Sequence, residues 1–140
     1  LEFRRVLFRS GSQITELEPF EQAFRLFGKA IDLSPHDPMV WAFHSYRALA
    51  HLFAGEFAHA VDSARRATLV PQCHYWPYAH RAAALGQLDD RHEAGKAVAE
   101  LLRLRPGFSC ALGRARLFYV RSASQRDLYV EGLRRAGVPD

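Results

Sequence analysis

Three segments of the chain repeat one pattern, and that period restricts the fold to stacked copies of one small unit. They are residues 20–35 (FEQAFRLFGKAIDLSP), 57–71 (FAHAVDSARRATLVP) and 91–106 (RHEAGKAVAELLRLRP). Each carries alanine three places after its first residue, at Ala23, Ala60 and Ala94. Each carries a second small or apolar residue seven places on, at Ala30, Ala67 and Leu101, and each closes on proline. The alanines are 37 and 34 residues apart, close to the ~34-residue period of a helix–turn–helix solenoid. Such a unit cannot bury its apolar face alone, and stacking the copies produces one continuous core.

The first ten residues, LEFRRVLFRS, resemble a translated sequencing-library adapter and are set aside as a non-native scar. Without them the formal net charge falls from +4 to +2, so the basic balance is partly theirs. With the scar removed, the chain is expected to be a piece of a longer protein. Its hydrophobic content of 49% supports a packed core. No apolar run approaches the ~18 residues of a membrane span. The two cysteines, Cys73 and Cys110, form no spaced framework. They are expected to be reduced, in a cytoplasmic protein.

The apolar spacing predicts helices over 17–33, 38–54, 56–69, 75–87, 90–104, 108–119 and 123–136, and no β-alternation. Asp37 is expected to cap the second helix, with Pro38 at its first position. Gly55 and Gly137 are expected stops, and Ser122 or Ser124 an N-cap. Ala60, Ala64 and Ala67 form a stripe that lets neighbouring helices approach closely. The last helix is expected to cap the array, with Leu128, Val130 and Leu133 inward and Arg126, Glu131, Arg134 and Arg135 outward. The fold class is all-α, a right-handed α-solenoid of antiparallel helix pairs with a C-terminal capping helix. Residues 11–106 hold about two and a half repeats, and 107–140 a degenerate repeat and the cap.

These residues give the chain a resemblance to the tetratricopeptide repeat. The matching registers are Ala23/Phe27/Ala30/Pro35, Ala60/Ala64/Ala67/Pro71 and Ala94/Val98/Leu101/Pro106, with Ala48 and Ala82 at the small position of first helices. Gly55-Glu56-Phe57 matches the family's turn, whereas Asp89 and Arg91 depart from its glycine and aromatic residue. DLSPHDPMVWAFHSYRALAHLFAGEFAHAVDSARRA, LLRLRPGFS and YVEGLRRAGVPD further resemble the C-terminal repeat region of bacterial class III adenylate/guanylate cyclase-like proteins. That resemblance implies a catalytic domain upstream and none within these residues.

Motifs for chemistry are weak. The seven histidines include no His-Glu-x-x-His and no Cys-x2-Cys partner, so no metal and no cofactor is expected. Cys73-His74 with His80 is the one cluster mixing sulfur and imidazole, short of the four ligands of a structural zinc site. No catalytic residue is assigned, and the segment is read as non-enzymatic. The C-terminal third holds Arg103, Arg105, Arg114, Arg116, Arg121, Arg126, Arg134 and Arg135. One reading makes them a solvated helix face, the other a phosphate-binding patch of a transcription regulator or nucleic-acid-binding protein.

The favoured role is a scaffold that binds a protein or peptide, or the parent's own upstream domain, with a homodimer left open. The resemblance implies a concave groove lined by the first helix of each pair. Its register places Ser45, Leu49, Ala83, Gln87 and Arg121 there, with Tyr75 and Trp76 as anchors. Trp76 is equally well read as a plug at the repeat boundary. Ala42 and Leu49 occupy places where chaperone-binding members clamp a peptide carboxylate, which disfavours an acidic C-terminal tail as ligand.

Overall fold

The computed structural model describes residues 18–140. Residues 1–10, read from the sequence as a scar, and the expected start of the first helix at residue 17 lie outside them. Among the described residues there are seven α-helices and no strand. They are α1 (Glu18–Leu33), α2 (Val40–Phe53), α3 (Phe57–Thr68), α4 (Trp76–Gln87), α5 (Arg91–Leu104), α6 (Cys110–Arg116) and α7 (Ala123–Ala136). No helix among them is long and apolar enough to cross a membrane.

Helices α1 to α4 each pack against the next in the chain. Ala23, Ala60, Ala64 and Ala67 have no exposed surface, and Ala94 has almost none. These small side chains are the contacts of the repeat, and they let α3 lie close to both α2 and α4. Larger groups fill the flanks. Phe27 is fully buried and stacks on Tyr46 at 6.0 Å between ring centres, and Phe24 stacks on His51 at 3.9 Å.

Turn chemistry fixes the joints. Gly55 adopts φ +80°, which glycine reaches without strain. Glu56 N–H then donates to His51 O (2.9 Å) and Gly55 N–H to Leu52 O (3.1 Å), closing the end of α2 as a Schellman motif. The same pair of bonds ends α4, from Asp90 to Leu85 and from Asp89 to Gly86, but here Asp89 holds the left-handed position at φ +57°. Aspartate tolerates that region less well than glycine. Asp89→Gly is therefore expected to stabilise the fold by about 0.5–1 kcal/mol in urea denaturation. A loss of stability would show that the Asp89 side chain contributes more than its backbone costs.

Two expected helices differ at their ends. The second starts at Val40 rather than residue 38. Asp37 Oδ1 accepts from Met39 N–H at 2.8 Å, which holds Pro38 and Met39 in a turn. The sixth runs only over Cys110–Arg116, not 108–119. Ser109 Oγ caps it by accepting from Leu112 N–H, and the chain then leaves the helix so that Leu117 and Val120 are both fully buried.

The C-terminal helix does more than cover an end. Helix α7 lies along α4, and it also touches α2, α5 and α6. Tyr129 meets His80 and Gly132 meets Ala83 and Gly86, so the two helices advance in the same direction. Val130 and Leu133 are buried as expected, while Leu128 is only half-buried. Gln125, Tyr129 and Gly132, at steps of four and three, form the buried stripe that the apolar pattern did not reveal. Covered on this side too, α4 is buried at eight of its twelve positions, and small residues dominate them. The tail folds back as well, Pro139 O accepting from Cys110 N–H at 2.7 Å.

Candidate binding cleft

Helical spacing builds one aromatic cleft of about 430 Å³. On α2, Trp41, Ala42, Ser45 and Tyr46 fall on one face, one turn apart, with Met39 just before them. On α4, Trp76 and His80 are likewise one turn apart. Arg116, at the end of α6, and Phe118 and Tyr119 beyond it close the third side. The volume falls within the ~300–1,000 Å³ of ligand pockets, and an aromatic lining with few polar groups is their usual composition.

Polar contacts set the walls. Trp76 stacks on His80 at 5.4 Å and meets the edge of Phe108 at 5.9 Å. His80 Nδ1 and the Tyr129 hydroxyl share a buried hydrogen bond of 2.8 Å that joins α4 to α7. Burial drives the His80 pKa down to about 3, so the imidazole is neutral, and burial holds the Tyr129 hydroxyl well above its ordinary value. At the rim, His74 stacks on Trp41 at 5.6 Å, and its Nδ1 accepts from Trp76 N–H at 3.2 Å. Its pKa is lowered, first by burial and then by the Arg105 and Arg116 charges.

The groove residues read from the sequence separate in space. Ser45 and Trp76 line the cleft. Leu49, one turn beyond Ser45, is fully buried. Tyr75 is buried, its hydroxyl accepting from Arg105 Nη1 at 3.3 Å while the guanidinium lies 5.2 Å from the ring centre. Ala83 lies beneath the backbone of Gly132, and Gln87 Nε2 donates to Leu128 O at 2.8 Å. Helix α7 covers Ala83, whereas Gln87 stays half-buried and lines a separate depression with Arg114 and Asp127. Arg121 is exposed in the α6–α7 connection. Trp76 serves both readings given to it, with one side packed on His80 and Phe108 and another in the cleft.

No family model, curated protein or solved structure matches the chain.

The site's chemistry therefore rests on its own groups. Cys73 and Cys110 are free thiols, and burial raises the pKa of both, away from the reactive thiolate. Among the described residues no group of three or more His, Cys, Asp or Glu is placed to hold a metal ion. Most of the C-terminal arginines are engaged. Arg103 pairs with Glu100, Arg114 with Asp127, Arg134 with Glu131 and Asp140, and Arg135 with Glu131. Arg126 donates to Val120 O.

Sequence reasoning missed Trp41, Tyr46, His80, Arg116, Phe118 and Tyr119 as lining residues. The four-residue steps Trp41–Ser45 and Trp76–His80 were a usable signal. The remaining three lie in or beside the segment read as one continuous helix, and only the turn after α6 aims them at α2 and α4.

Proposed function

We propose that the chain is a non-catalytic scaffold of tetratricopeptide type, a right-handed solenoid whose aromatic cleft holds a segment of a protein partner. The observation that carries this reading is that both tryptophans of the chain, Trp41 and Trp76, line the same cleft from neighbouring repeats. Aromatic anchors that keep accessible surface are the usual centres of binding energy. The buried repeat alanines support the repeat type. The resemblance to cyclase-like proteins extends the proposal to a cytoplasmic parent in which this region positions or regulates an upstream catalytic domain. The nucleic-acid alternative draws less support, because four of the eight C-terminal arginines are engaged with carboxylates and a fifth with a backbone carbonyl.

The test compares the wild-type chain with Trp41→Ala and Trp76→Ala chains of matched helicity. Each substitution is expected to weaken capture of the partner at least about thirtyfold, the cost of losing a ~2 kcal/mol anchor. Equal capture by all three chains overturns the reading.

A further inference from the structure

We infer that the cleft selects an acidic peptide segment, one whose apolar side chain enters between Trp41 and Trp76 while a neighbouring carboxylate meets the Arg116 guanidinium. This rests on the reading of the cleft as a partner-binding surface and names the chemistry of that partner.

Charge complementarity carries it. Among the described lining residues Arg116 is the one full charge, and none is Asp or Glu. His80 adds no charge, because burial keeps it neutral. Arg116 also differs from its neighbours in sequence. Arg114 is taken up by Asp127 at 2.8 Å and Arg103 by Glu100 at 2.9 Å, whereas Arg116 is exposed with no carboxylate beside it among the described residues. A second cation, Arg105, stands behind the rim on the ring of Tyr75. Both arginines act on His74, which stacks on Trp41. Arg116 is therefore the charge that faces the cleft.

The competing chemistry is a cationic segment, since aromatic faces attract cations weakly at exposed sites. A second cation set beside Arg116 meets like-charge repulsion that opposes this attraction. Arg116 thus turns an aromatic site that could hold lysine into one that rejects it. The carboxylate-clamping positions of α2, occupied by Ala42 and Leu49, play no part, because the cation comes from the end of α6.

Both tryptophans line the cleft, so the intrinsic fluorescence of the full chain reports its occupancy. The probes are a blocked five-residue peptide with phenylalanine between two aspartates, and its counterpart with lysines. The acidic peptide is expected to give a saturable change and to bind at least about tenfold more tightly than the lysine peptide. Arg116→Gln is expected to weaken the acidic peptide about tenfold with no change in thermal unfolding, since the side chain is exposed. Equal affinity for both peptides, or an unaltered affinity in Arg116→Gln, overturns the inference and leaves a peptide-binding cleft without charge selection. No response to either peptide also overturns it, and the comparison of Trp41→Ala and Trp76→Ala chains then judges the broader reading separately.

Discussion

Replacing Gly132 with alanine is expected to destabilise the fold by on the order of 3 kcal/mol or more. A Cβ at Gly132 would lie 2.2 Å from Ala83 O, and one at Gly86 would lie 1.9 Å from Gly132 O. In both cases the obstacle is backbone, which cannot swing aside like a side chain. Helices α4 and α7 would have to separate, and the packing along Tyr129 and Gln125 would loosen with them. Gly86→Ala should cost as much. Gly95→Ala is the matched control, because a Cβ there meets nothing within 4 Å. On the exposed face of α5 it should stabilise by about 0.5–1 kcal/mol. Urea denaturation of the three variants decides the matter. If Gly132→Ala unfolds with the wild type, the two helices do not cross backbone to backbone.

Acid should unfold the protein through His80. Its folded pKa lies near 3, against an ordinary value of 6.5, because burial disfavours the charged imidazole. Between these values the unfolded chain binds a proton that the folded chain refuses. Stability is therefore fully present above pH 6.5 and is lost progressively as pH falls toward 3, at up to about 1.4 kcal/mol per pH unit. From pH 6.5 to 4 the loss from this one group is roughly 3 kcal/mol. Burial lowers His44, His51 and His74 as well, and these shifts act in the same direction. The double substitution His80→Leu/Tyr129→Phe removes both partners of the buried bond and isolates the His80 share. Its stability should depend on pH much less steeply over this range. An unchanged slope would move the acid sensitivity to the other histidines.

Much of the helical layout could be read from the chain, for identifiable reasons. Alanines at fixed steps, Gly55, Gly137 and Ser122 act through local geometry. Asp90 accepts from Glu93 N–H and Ser122 from Gln125 N–H, as N-caps do. The docking of α7 was not legible. Gly132 carries no side chain to register in an apolar pattern, and Tyr129, which bonds His80 of α4, and the buried Gln125 both carry polar groups. The cleft was half-legible for a related reason. Ser45 and Trp76 follow from repeat register, but Arg116, Phe118 and Tyr119 reach it only because α6 stops early. That stop depends on burying Leu117 and Val120, which is a tertiary effect.

The seat of α7 on α4 also bears on how the molecule holds together. In a purely linear array each unit senses only its neighbours, and the ends can fray independently. Here the chain loops from residue 87 to residue 123 and returns to the middle helix, so the last segment is tied to the centre. Opening α4 and releasing α7 become a single event, and the domain gains cooperativity that a row of hairpins would lack.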